Sequence, residues 1–126
     1  MPANPRTDRE HELVLILSHD AVAAALLGGL VETLGYVVEF AIRPESPDDT
    51  IRRVRPRICL VDSTDPASCR SEFLAHATMR GVSVVIYGRR EALDRVRELA
   101  RTHNINTLIM PPELDVLEAA LLRATE

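Results

Sequence analysis

The sequence predicts an α/β fold: a doubly wound parallel sheet of five strands with helices on both faces. Three observations carry this expectation. Five short aliphatic runs alternate strictly with five stretches of helical pattern, and repeated βα units fold with parallel strands and right-handed crossovers. Two of the runs, Leu13–Leu17 and residues 58–61, are apolar without interruption, as strands covered on both faces are. The 126 residues are enough for one core and one domain.

Taken in order, residues 1–11 are polar, hold two Pro and read as a flexible tail, with the folded domain expected over 12–126. Leu13–Leu17 is the first strand. Ser18, His19 and Asp20 follow, and Ser18 or Asp20 can cap the next helix. That helix, about 21–34, places Leu26, Leu27, Leu30, Val31 and Leu34 on one face. Gly28 and Gly29 sit inside it and point to close packing on a neighbour; Gly35 stops it. Residues 36–41 form the second strand. Ser46, Pro47, Asp48 and Asp49 then spell an N-cap, a Pro at N1 and acids in the first turn, with Arg52, Arg53 and Arg55 at the other end.

The third strand, 58–61, runs straight into Asp62, where a parallel sheet puts its ligands. Ser63, Thr64 and Asp65 are expected to cap a helix over about 67–79, which faces Cys69, Phe73 and Ala77 inward and ends at Gly81. Residues 82–87 make the fourth strand. The helix over 91–102 turns Leu93, Val96, Leu99 and Ala100 inward and ends at His103-Asn104. Residues 107–110 make the fifth strand, and the helix over 112–124 turns Leu114, Leu117 and Leu121 inward.

Composition excludes several function classes. Fifteen Arg, with no Lys, face 19 acids for a net charge of -4, which argues against a nucleic-acid binder. Cys59 and Cys69 lack metal spacing; Cys59 lies within a strand, and Cys69 is either a packed residue or a thiol of lowered pKa near a helix start. No Gly-rich loop follows the first strand, so no dinucleotide or P-loop signature is present. No secretory leader and no run of membrane-spanning length is evident, and a cytoplasmic protein is expected.

Two segments resemble one known family. Residues 55–62, RPRICLVD, with Pro66 four residues on, are similar to the phosphoacceptor strand of response-regulator receiver domains. Residues 111–117, PPELDVL, resemble the segment after that family's fifth strand, and Pro111 matches a proline often cis there. The resemblance spans nearly the whole chain. It implies the flavodoxin-like strand order 2-1-3-4-5 with a crevice at the switch point. It also implies that Asp62 stands at the phosphoacceptor position.

The resemblance makes the site degenerate. The family's acidic pair after the first strand, which helps hold Mg²⁺, corresponds to Ser18 and His19, and only Asp20 beyond them is acidic. The Thr or Ser after the fourth strand corresponds to Gly88, the Lys before the fifth-strand Pro to Met110, and the aromatic switch position to Thr107. Mg²⁺ wants hard oxygen ligands, and imidazole is a poor one. Asp62 is therefore expected either as a carboxylate held by backbone N–H groups or paired to His19, or as part of a transition-metal set with His19 and Asp20. Tyr87 either lines the site or packs in the core.

Three functions remain from this. One is a single-domain pseudo-receiver that binds another signalling protein, with no cofactor, no catalysis, no nucleic acid and no membrane. The alternative is a conventional phosphorelay receiver, phosphorylated on Asp62 by a histidine kinase with Mg²⁺. A small α/β enzyme has no motif in its favour. The interaction face is expected on the fourth and fifth helices. Arg90, Asp94, Arg97 and Arg101 point outward from one, and Glu113, Asp115, Glu118 and Leu122 from the other. Opposite charges on neighbouring helices suit a two-fold homodimer.

Overall fold

The computed structural model describes residues 12–125; the tail expected over 1–11 lies outside them. Five strands and five helices alternate among the described residues: β1 (Leu13–Leu17), α1 (Ala21–Thr33), β2 (Val37–Phe40), α2 (Pro47–Val54), β3 (Ile58–Asp62), α3 (Ser71–Met79), β4 (Ser83–Gly88), α4 (Arg90–Thr102), β5 (Asn106–Ile109) and α5 (Leu114–Ala124). The sheet is parallel throughout, in the order β2-β1-β3-β4-β5. The fold class and strand order are those expected from the sequence.

Alternation along the strands splits the core into two layers. Leu15, Leu17, Cys59, Val61, Val84 and Ile86 face α2, α3 and α4, where Ile51, Phe73, Leu74, Leu93 and Ala100 meet them. Val14, Ile16, Ile58, Leu60, Val85 and Tyr87 face α1 and α5, where Leu27, Val31, Leu117 and Leu121 meet them. Central β3 is buried at all five positions, which is why the four residues before Asp62 are an unbroken apolar run.

Local chemistry sets most helix ends. Asp20 Oδ1 accepts hydrogen bonds from the Val22 and Ala23 amides and caps α1. Ser46 Oγ accepts from the Asp49 amide at α2, with Pro47 inside the first turn. Gly35 and Asn104 take positive φ after α1 and α4, as chain stops there require. The loop between β2 and α2 is tied by Glu45, which accepts from Arg53 Nε at 2.6 Å and from the Ile42 amide at 2.8 Å. Those two donors, Arg53 first, hold the Glu45 carboxyl down at about 2.

Several expectations need correction. Leu26 is 68% exposed; α1 buries Ala24, Leu27, Gly28 and Val31 instead, the i, i+3, i+4, i+7 set one step round the helix. Gly28 does mark close packing, because a Cβ there would stand 2.9 Å from Phe40 Cζ. Leu114 is exposed; α5 begins at that residue and buries Leu117, Ala120 and Leu121 further along. Helix α3 begins at Ser71, four residues later than expected, and no side chain caps it. Asp65 instead closes the preceding turn, accepting from the Ala67 amide at 3.1 Å and from Ser68 Oγ at 2.7 Å. None of the helices among the described residues is long and apolar enough to cross a membrane.

Candidate functional site

Asp62 ends β3 in register with Tyr87 of β4. It is 7% exposed and both of its carboxylate oxygens accept hydrogen bonds. Oδ2 accepts from Ser18 Oγ at 2.7 Å. Oδ1 accepts from the Thr64 amide at 2.9 Å and from Thr64 Oγ1 at 2.8 Å. His19 Nδ1 lies 3.9 Å from Oδ2, beyond hydrogen-bonding distance. The sequence left open whether backbone N–H groups or His19 would hold Asp62. The structure shows both in part: one backbone N–H and two hydroxyls, one of them from Ser18, hydrogen-bond the carboxylate, and His19 stands within ion-pairing range of it.

The β1 end brings Ser18 to Asp62 because β1 and β3 are neighbours in the sheet. Ser18 Oγ also accepts from the Asp20 amide at 3.0 Å, so the turn into α1 and the end of β3 are joined through one hydroxyl. Asp20 itself is committed to the α1 cap. Ser18 is therefore the residue at the end of β1 that hydrogen-bonds Asp62, with His19 3.9 Å from the same oxygen.

The residues present do not fit Mg²⁺. Asp62 is the one carboxylate at the end of β3, its oxygens already accept three hydrogen bonds, and Ser18 adds no negative charge. No group of three or more His, Cys, Asp or Glu among the described residues could hold a metal ion, which also removes the transition-metal set of His19, Asp20 and Asp62.

A cleft of about 540 Å³ opens above Asp62, between the ends of β3 and β4 and the start of α4. Ser63, Tyr87, Gly88, Arg89, Arg95 and Met110 are among its walls. Gly88 is the expected position without a hydroxyl, but the space above it is filled. A Cβ on Gly88 would overlap Ser63 Oγ. Sequence reasoning missed Ser63, Arg89 and Arg95 as cleft residues; the one signal was the Gly at 88, which only makes room once β3 and β4 are paired. Met110 lines the cleft, and its amide donates to the Gly88 carbonyl at 2.9 Å. The Met110–Pro111 bond is cis, as the resemblance implied; Arg43–Pro44 is cis as well.

Tyr87 is both core and site. It is 3% exposed, packs in the α1–α5 layer and reaches the cleft. Burial first, then the charges of Asp62, Asp65 and Asp20, push its hydroxyl up to about 12, against a lowering by Ser18. Cys69 is pushed up to about 11 by burial and by Asp62 and Asp65, so it is a packed thiol and not an activated one. Thr107 does not join the cleft; it is exposed on β5.

The residues expected to form an interaction face lie on α4 and α5. Arg90, Asp94, Arg97 and Arg101 are all exposed and line a groove of about 320 Å³ with Thr107 and Ile109 of β5. Arg97 pairs with Asp94 at 2.7 Å and Arg101 with Glu98 at 3.3 Å within α4 itself. On α5, Asp115 and Leu122 are exposed, whereas Glu118 is half-buried. Its outward orientation is corrected to that extent.

No family model matches the chain, and no curated protein matches it. Solved structures do. A receiver domain from Bermanella marisrubri superposes with a TM-score of 0.75 at 14% identity, covering 90% of this chain and 98% of that one. A response regulator receiver domain protein from Clostridium thermocellum gives 0.73 at 16%, over 91% and 94%. The signal receiver domain of a modulated diguanylate cyclase from Desulfovibrio desulfuricans gives 0.67 at 25%, over 90% and 92%. The chain has the receiver-domain fold. Within the receiver fold, Asp62 lies at the carboxyl end of the central strand, beside the switch point between β1 and β3, where such sheets place their sites.

Proposed function

We propose that this chain is a pseudo-receiver: a signalling module that works by binding another protein, without Mg²⁺-dependent phosphorylation of Asp62. The observation that carries this is the Ser18–Asp62 hydrogen bond of 2.7 Å. A hydroxyl occupies the carboxylate where a metal-binding acid would stand. Phosphoryl transfer depends on positioning and on counter-charge. Of the other acids lining the cleft, Asp20 spends Oδ1 on the α1 cap and Glu91 is exposed on α4, and Met110, not a lysine, lines the remaining wall. The domain acts as a binding element and not as a catalyst, in the cytoplasm, docking through the α4–β5–α5 face to a signalling partner or to a second copy.

The deciding experiment is an amide NMR titration with Mg²⁺ and beryllofluoride. The spectrum around Asp62, Gly88 and Met110 is expected to stay unchanged. Saturable shifts at those residues would overturn this function in favour of a phosphorelay receiver phosphorylated on Asp62 by a histidine kinase.

A further inference from the structure

Helix α1 and the strand beside it carry apolar surface that the fold leaves uncovered. On α1, Val22 is 72% exposed and Leu26 68%. Ala25 and Gly29 are exposed with them, completing the i, i+3, i+4, i+7 face opposite the one that α1 buries. A groove of about 350 Å³ runs beside this face, lined by Ala21, Ala25 and Phe40 among others. Phe40, at the end of β2, is 40% exposed, and Ile42 just beyond it 60%. The patch is on the order of 500 Å², and apolar patches of that size on a monomer are often functional. By contrast, α4 turns Arg97, Arg101 and their acid partners outward, whereas residues 21–31 of α1 carry no charge.

This face is complementary to itself. Two copies of α1 laid antiparallel, about a two-fold axis passing between residues 25 and 26, set Val22 against the second copy's Gly29 and Leu26 against its Ala25. Each bulky side chain then meets a small one, so the helices interlock closely. The rim fits the same register. Arg43 lies beside the start of α1, lining the groove with His19 and Ala21. Glu32 lies in the last turn of α1, on the same stripe as Ala21 and Ala25. The two-fold axis brings Arg43 to the second copy's Glu32, twice per dimer. Both residues are exposed, and neither makes an ion pair or a side-chain hydrogen bond among the described residues. With this polar rim the face approaches the ~800 Å² per partner that a stable dimer buries.

We propose that this chain forms a two-fold homodimer through α1, with Val22, Leu26 and Phe40 in its apolar centre and Arg43–Glu32 pairs at its rim. Strand β2 stands at one edge of the sheet and β5 at the other, so this dimer leaves the α4–β5–α5 face of each copy free. In that respect it rests on the pseudo-receiver function and makes the module bivalent, able to hold two partner molecules or two sites on one.

Sedimentation of the full chain tests this. The wild type is expected to dimerise at micromolar concentration, and the dimer to persist in about 1 M salt, where exposed charge pairs are screened. Leu26→Arg should weaken it by about a hundredfold, since the change enters each dimer twice. Thermal unfolding of dilute Leu26→Arg should match that of the dilute wild type, because the side chain is exposed in the monomer. At low salt, Arg43→Glu and Glu32→Arg should each weaken the dimer several-fold. An equimolar mixture of those two variants should recover wild-type affinity, because only the mixed dimer pairs opposite charges at both rims. Absence of association in the wild type, a Leu26→Arg dimer as tight as wild type, or a mixture no tighter than either variant alone would each overturn the proposal. Loss of the dimer in Arg97→Glu or Leu122→Arg, with Leu26→Arg unaffected, would overturn it in favour of the α4–β5–α5 face. None of these outcomes touches the pseudo-receiver function, which the beryllofluoride titration decides separately.

Discussion

Ser63, in the turn just after β3, sits against Gly88 at the end of β4, where a side chain would meet it. Replacing Gly88 by Thr would force its Cβ into Ser63 Oγ, with Ser63 Cβ only 3.0 Å away. Gly88→Thr is expected to cost about 1–3 kcal/mol, the usual penalty of overpacking. Adding Ser63→Ala should recover most of that loss. Urea denaturation of the two single variants and the double variant measures it, and additive costs would mean the two residues do not compete for space. Rebuilding a metal site here would therefore require changing Ser63 together with Ser18, His19, Gly88 and Met110. Asp62, Ser18 and His19 were legible in the sequence because each sits at a strand end that the apolar run itself marks. Ser63 was not, because its role depends on a missing side chain on another strand.

At the scale of elements, α1 departs most from its expected form. Residues 21–31 carry no charge and little polarity, so the periodicity that normally tells inside from outside is nearly absent, and Leu26 was placed inward when it faces solvent. The two glycines of α1 have different reasons to be there. Gly28 lies under the Phe40 ring, whereas a Cβ on Gly29 would meet nothing within 4 Å. Gly29→Ala is expected to raise stability by about 0.5–1 kcal/mol through helix propensity alone. Gly28→Ala should gain clearly less, because its Cβ pushes on Phe40. Thermal unfolding of the two variants decides this; an equal gain from both would show that the Phe40 contact imposes no constraint.

At the scale of the whole molecule, the α4–β5–α5 face combines charge with apolar surface: Ile109 on the edge strand and Leu122, 38% exposed, on α5. The ion pairs within α4 are exposed and each stabilises little, so their charge remains usable for steering a partner. If the face forms a homodimer, sedimentation of the wild type will show association that grows with concentration and weakens as salt rises. Arg97→Glu and Leu122→Arg should each abolish it. A wild type that stays monomeric at every concentration removes the homodimer and leaves a heterologous partner. A complex that both variants leave intact places the docking surface elsewhere.

The sequence by itself determined the βα alternation, the parallel sheet, the buried central strand and the carboxylate at its end. These follow from periodicities and caps that operate within a few residues: an unbroken apolar run can be buried only between two helix layers, and Ser46-Pro47 or Asp20 can act only on the turn beside it. The tertiary structure decided what surrounds that carboxylate. Whether Asp62 would meet His19 or Ser18, whether Gly88 left a gap or made room for Ser63, and whether Arg89 and Arg95 would line the cleft all depend on how the ends of β1, β3 and β4 are brought level in the sheet. Strand pairing sets that level through contacts between residues far apart in the chain, and side chains at the strand ends meet only once those strands are paired.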